Sequence, residues 1–216
     1  SAAAQATHIG EVVASYRQSD GSYAFSRNSD GSFDKTLTVF ASVALWSAES
    51  SLPKPEAMLS RWASHDFATD WGVRSVSDKA AVFDPISYHQ GSVWPLFTGW
   101  ASLAQYRGGR PLAGYAALMR NVDLTWTQDP GFVTEVISGK FFQPLGRSSS
   151  HQLWSSAMVL TPAIRGLFGI EADAIHRTLQ LQPHLPASWD SAELENVRVG
   201  DDFDRVTLKR AGERLL

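Results

Sequence analysis

The chain contains no cysteine. That absence excludes disulfides, CxxC redox chemistry and thiolate metal sites, and leaves the compartment open. No apolar run approaches the ~20 residues of a membrane-spanning helix, and the Ala-rich start lacks the charged and apolar regions of a signal peptide. Neither sign of charge dominates: 19 Lys and Arg stand against 22 Asp and Glu, for a net charge of -3. No basic footprint therefore points to nucleic acid or to an anionic membrane. No HxxxH or comparable spacing marks a metal site. Asp20, Asn28, Asp30 and Asp34 depart from the EF-hand pattern, and turn chemistry accounts for them. The expectation is a cytoplasmic protein with no cofactor, no metal ligands, and neither nucleic acid nor membrane as a partner.

What is present is apolar and aromatic. The 216 residues are 44% hydrophobic and 11% aromatic, enough to bury a real core. Eight tryptophans are a large share for this length, and most belong to that core. Several stand beside polar residues outside helical patterns, however. Aromatic faces next to hydrogen-bonding groups suit sugar rings, which have apolar C–H faces and hydroxyl rims.

Helical periodicity comes in segments joined by loops of very unequal length. Positions 2–17 carry Ile9, Val12, Val13 and Tyr16 on one stripe, followed by the turn-rich SDGSYAFSRNSDGSFD. Helices are expected over 36–47 and 53–63, then a long connection, HDFATDWGVRSVSDKAAVFDPISYHQ. The stretch 91–107 is strongly apolar and stops at Gly108-Gly109; 110–127 restarts behind Pro111, making an αα-hairpin. A sixth helix spans 150–167. From Thr178 the pattern alternates in TLQLQPHLP, AELENVRV and FDRVTLKR, which reads as strands. No exact repeat is visible. The implied fold is mainly α: stacked helical hairpins over 1–176 with long loops gathered at one end, then a β region over 177–216. Function belongs in those loops.

Three loops carry candidate chemistry: WGVRSV (71–76), SYHQGSVWP (87–95), and PGFVTEVISG (130–139) with SSSHQLWSSA (148–157). In the second, Tyr88, His89 and Gln90 offer hydrogen-bonding tips, Gly91 permits close backbone approach, and Trp94 offers a flat apolar face, a set that reads as a substrate-binding wall. A helix start capped by Ser92 over a buried tryptophan accounts for the same residues equally well. In the third, Glu135 is a lone acid in an apolar run. A carboxylate there either faces water or has surroundings that serve a purpose.

Taken in order, WGVRSV, YHQGSVWP, TEVISG, QLWSSA and the helix end LFGIEADA leading to LQLQPHLP resemble the later part of bacterial glycogen-debranching-type amylo-α-1,6-glucosidases and their relatives. The similarity covers most of 70–200. It implies an inverting glycoside hydrolase on an (α/α)6 barrel, acting on an α-glucan or small α-glucoside. It makes Glu135 the general base by position, places Arg74 near the pocket as a hydroxyl donor or a partner to a carboxylate, puts Trp154 beneath the pocket, and has Gln152 orient a ligand or the loop backbone. It also puts the family's general acid ahead of this chain's first residues, so that these helices make about half of a toroid. The rest of a parent chain, or self-association, would then cover the open face. Asp66 and Asp70 in SHDFATDW are the acids within the chain that could substitute, although a loop carboxylate is the plainer reading of each. A glycoside phosphorylase, a rhamnosidase, trehalase or glucosylglycerate hydrolase of related architecture, and a noncatalytic carbohydrate-binding half-barrel remain alternatives.

Overall fold

The computed structural model describes residues 2–46, 52 and 55–216. Helix α1, Ala2–Ser15, leads into a small hairpin of β1, Ser26–Arg27, and β2, Phe33–Asp34. A 3-10 helix over Phe40–Leu45 stands where a full helix over 36–47 was expected, and position 47 lies outside the described residues. The stripe on α1 is looser than its spacing implies. Val13 and Tyr16 pack against the core, but Ile9 remains 62% exposed.

Helix α2, Glu56–Trp62, begins just behind Pro55; Pro53 and Lys54, where this helix was expected to open, lie outside the described residues. A two-residue hairpin, β3 (Ala68–Thr69) with β4 (Gly72–Val73), follows. Helix α3, Pro95–Arg107, is the centre of the molecule: ten of its thirteen residues are buried. A helix apolar on nearly all sides has to be enclosed, and α3 packs against α2, α4, α5 and the 3-10 helix. Its start is set by Pro95, whose missing N–H costs nothing in the first turn. Trp94, not Ser92, is the residue before that turn. The Ser92 hydroxyl instead donates to the Tyr88 carbonyl at 2.8 Å.

Helix α4, Pro111–Leu124, returns antiparallel to α3, completing the expected hairpin. Helix α5, Leu153–Pro162, passes into a π-helical turn over Ala163–Leu167. Pro162 has no N–H to offer the Met158 carbonyl four residues back. The buried Asn121 side chain of α4 fills that gap, its Nδ2 donating to Met158 O at 3.2 Å and to Pro95 O at 2.9 Å. One amide thus ties α3, α4 and α5 together.

The remaining strands are β5 (Ile170–Asp173), β6 (Thr178–Leu181), β7 (Ser191–Val199), β8 (Asp202–Ala211) and β9 (Arg214–Leu215), paired antiparallel as β5–β6 and β7–β8–β9. Strand β5 occupies part of LFGIEADA, which the sequence pattern made a helix end. Gly169 accounts for the difference: its φ of +63° turns the chain sharply, and a side chain there would fall on the Gln182 backbone. Phe168, Ile170, Val197, Val206 and Leu208 form a second, smaller core under these strands. The described residues therefore mix helices with several small sheets, where the sequence led us to expect a mainly helical chain.

Candidate active site

Backbone segments from three distant parts of the chain are stitched side by side. Arg74 bridges Val93, Val93 bridges Ile137, and Ile137 bridges Pro144, all antiparallel. Val93 and Ile137 exchange both backbone hydrogen bonds, at 2.8 and 2.9 Å. The loops WGVRSV, SYHQGSVWP and PGFVTEVISG thus share one platform at the start of α3, on a core of Val93, Leu124, Val133 and Ile137. Gly139 permits the closest approach, since a side chain there would collide with the Gly91 carbonyl.

Glu135 is 8% exposed and held through both carboxylate oxygens. The Tyr88 hydroxyl donates to its Oε1 at 2.6 Å, and the Ser149 amide donates to Oε2 at 3.2 Å. Its own amide donates to the Ser149 carbonyl at 2.9 Å. Two donors hold the carboxylate in one orientation while leaving lone pairs free, because a carboxylate accepts about four hydrogen bonds. The hydrogen bond to Glu135 is also the main reason the Tyr88 hydroxyl ionises less readily than an ordinary phenol, with burial adding to it. Ionised Tyr88 would lose that bond and face a second negative charge. Arg147 lies over the Tyr88 ring, its guanidinium 5.0 Å from the centroid.

The aromatic groups beside this pair are ordered differently from the expectation. Trp94 is 3% exposed and donates its indole N–H to the Tyr88 carbonyl at 2.8 Å. His89 stacks parallel over it at 5.6 Å, and Tyr88 meets it edge-on at 4.6 Å. Trp94 is thus the support beneath the wall, and His89 is its exposed face. Trp154, expected beneath the pocket, is 44% exposed at 6.3 Å from Trp94. It offers open aromatic surface next to the exposed Leu153.

Arg74 and Gln152 act on backbone. The Arg74 Nε donates to the Gly139 carbonyl and its Nη1 to the His65 carbonyl, both at 2.7 Å. Burial pulls its guanidinium below the ordinary arginine value, opposed by Asp78 and Asp66. It clamps the Glu135 loop to the turn after α2. The Gln152 side chain accepts from the Leu153 amide at 3.1 Å, closing the start of α5, and its backbone N–H donates to Val133 O at 3.0 Å.

Ser148, Ser149 and Arg147 were not singled out from the sequence. Ser148 Oγ accepts from the Val136 amide at 3.0 Å and lies 2.9 Å from the Thr134 hydroxyl. The serine run before a helix was the visible signal, since such hydroxyls bond nearby backbone. Neither Asp66 nor Asp70 is drawn to Glu135 by a hydrogen bond. Asp66 faces His65 at 3.1 Å, and Asp70 lines a cavity of about 310 Å³ with Trp71, Arg120, Asp123, Leu124 and Phe142. Among the described residues, no group of three or more His, Cys, Asp or Glu could hold a metal ion, and no helix is long and apolar enough to cross a membrane.

No protein-family model matches this chain, and no curated protein does. Solved structures do. A chain titled sialidase superimposes with a TM-score of 0.72 at 12% identity, over 98% of this chain and 21% of its own length. Two proteins of Thermus thermophilus align less well, each at 16% identity over 62% of this chain. One is an uncharacterized conserved protein, with a TM-score of 0.48 and 32% of its length covered. The other is a GH63 mannosylglycerate hydrolase crystallised with Tris, at 0.46 and 31%. The chain shares its fold with part of the sialidase chain and spans about a fifth of it.

Proposed function

We propose that this chain carries the water-activating side of an inverting glycoside hydrolase site, with Glu135 as general base. The observation that supports it is the setting of Glu135: a buried carboxylate fixed by Tyr88 and the Ser149 amide, with acceptor capacity left, beside the open rings of His89 and Trp154. A base has to be held at hydrogen-bonding distance from the water it deprotonates. The aromatic rings suit the C–H face of a sugar. A solved chain titled sialidase has this fold, which favours a glycosidase without identifying the sugar.

In this reading the attacking water donates a hydrogen bond to Glu135, gives up its proton as its oxygen bonds the anomeric carbon, and leaves the opposite configuration. The leaving oxygen takes a proton from an acid on the far side of the bond, roughly 6.5–9.5 Å from the base. In the glucosidases that these motifs resemble, the acid comes from an earlier part of the barrel, so we assign it to a larger (α/α)6 barrel of which residues 1–176 form about half. The exposed Leu153 and Leu160 of α5 fit such a fragment, with the rest of a parent chain or a second copy as their cover. The substrate we assign is an α-glucan end or small α-glucoside, as in amylo-α-1,6-glucosidases.

A second reading, glycoside phosphorolysis, draws on Arg147 beside Tyr88, a cation placed to attract phosphate. One experiment separates the two. The natural protein containing these residues is incubated with α-glucosides, with and without phosphate, and the first-formed anomer is identified by proton NMR. Hydrolysis with inversion, independent of phosphate and slowed ~10²–10⁴-fold by Glu135→Gln, supports the proposal. Retained configuration, or an unchanged rate in that variant, sinks it; a sugar phosphate product selects the second reading.

A further inference from the structure

A cavity of about 480 Å³ opens where the helices meet the strands, on the opposite end of α3 from Glu135. Arg107 from the last turn of α3 and Arg165 from the π-helical turn enter it, with Glu171 of β5 between them. Arg165 grips Glu171 with two parallel hydrogen bonds, Nε to Oε1 at 3.1 Å and Nη2 to Oε2 at 3.2 Å. Arg107 Nη2 also donates to Glu171 Oε1. Two guanidinium charges thus share one carboxylate. The three side chains are only 19 to 28% exposed, and the buried Arg107 Nε has no hydrogen-bond partner among the described residues. Burial depresses both arginines, and Arg165 depresses Arg107 further.

His184 adds a directed group. The Gly166 carbonyl can only accept, so the His184 Nδ1 at 2.9 Å from it carries the proton. Gln180 and Gln182 supply amides at the rim. A site with one surplus, half-buried positive charge is incomplete as it stands, because an unbalanced buried charge is costly. An oxyanion is the natural counterpart: the guanidinium fork matches carboxylate and phosphate geometry. The cavity holds far more than a bare ion, and falls within the usual ligand range of about 300–1,000 Å³.

We infer that this junction cavity binds a small hydroxylated anion, a sugar acid or a sugar phosphate, whose anionic group sits against Arg107 and Arg165 and whose hydroxyls meet Gln180 and Gln182. Such a ligand would join the end of α3 to the β5–β6 hairpin. The inference does not depend on the glycosidase reading, since it uses none of the residues around Glu135.

The test is calorimetric titration and thermal melting of the natural protein containing these residues, at fixed ionic strength, with glucose 6-phosphate, gluconate and, as the neutral control, glucose. Saturable binding and a raised melting temperature with one or both anions, and neither with glucose, is the expected result; which anion binds tells phosphate from carboxylate. Arg107→Gln leaves the Arg165–Glu171 pair balanced and should weaken binding ~10-fold or more. Gln182→Glu, at an exposed rim position, should weaken it by repulsion without touching the ion cluster. Glu135→Gln should leave it unchanged. Equal effects of glucose and the anions, no saturation below about 10 mM, or affinity unaltered in both Arg107→Gln and Gln182→Glu would overturn the inference.

Discussion

The Tyr88 hydroxyl donates to Glu135 Oε1 across 2.6 Å, joining the loop before α3 to the loop before α5. Hydrogen bonds to a charged group are worth about 1.5–3 kcal/mol net. Tyr88→Phe should therefore cost stability of that order and free the carboxylate to rotate. On the proposed reading, kcat of the natural protein containing these residues should fall more than KM changes. A thermodynamic cycle combining Tyr88→Phe with Glu135→Gln, read by urea unfolding, should give a coupling well above the ~0.5 kcal/mol expected of independent sites. Simple additivity would mean the two side chains do not interact as described.

Alkaline pH should destabilise the fold through the buried phenol of Tyr106 and the hydrogen-bonded phenol of Tyr88. Tyr106 is enclosed, its hydroxyl has no hydrogen-bond partner among the described residues, and burial raises it far above the ordinary tyrosine value of 10.0. Tyr88 is raised as well. A folded-state value above the unfolded one gives a contribution fully present below about pH 10 and lost as pH climbs through the folded value. Tyr106→Phe removes a buried, unpaired hydroxyl. It should raise stability at neutral pH by about 1 kcal/mol and flatten the decline above pH 10. Chemical denaturation at pH 8 and pH 10.5 measures both effects. A destabilised variant would show that the hydroxyl is satisfied.

Asn121→Leu should be among the most disruptive single changes far from the candidate site. It strips the Pro95 and Met158 carbonyls of their donor in a buried setting. Each carbonyl left unsatisfied costs about 1–3 kcal/mol. Hydrogen exchange should show loosening where α5 meets the π-helical turn. Unchanged stability would mean that the backbone re-forms its own bonds around Pro162.

Gly139→Ala drives a methyl into the Gly91 carbonyl and should separate the two loops or unfold the platform. Gly146→Ala meets nothing within 4 Å and serves as the control; its effect should stay within about 0.5 kcal/mol. The two melting temperatures side by side decide whether the close approach is real. Equal values would rule it out.

Much of the helical layout was legible because its signals are local. Pro111 behind Gly108-Gly109 marks the α3–α4 hairpin, and the all-round apolar character of 91–107 marks a buried helix. The alternating tail announced strands. Where local pattern and tertiary geometry disagree, the sequence misled. The run at 36–47 looks helical, yet Thr38 and Val39 are drawn into pairing with Val76 and Ser75, leaving one short 3-10 helix. LFGIEADA continues a helical composition, but Gly169 turns it into strand β5. Around Glu135, the isolated acid, the aromatics of SYHQGSVWP and the serine run of SSSHQLWSSA were visible in the residues themselves, while the parts played by the Ser149 amide and by Arg147 were not. Backbone amides and a cation over a ring leave no pattern in spacing; only folding brings them into place.

The Val93–Ile137 pairing has a consequence for how the site comes into being. These residues flank the α3–α4 hairpin, so their hydrogen bonds fasten its two open ends like a clasp. The entropy of closing that long loop is met largely by the helices packing between them. Until the hairpin forms, Tyr88 and Glu135 belong to separate lengths of chain and have no reason to meet. The Glu135 environment is therefore expected to assemble only once the α3–α4 hairpin has closed. Damage at the middle of α4, well away from the carboxylate, would be felt at Glu135 as loss of its aromatic partner.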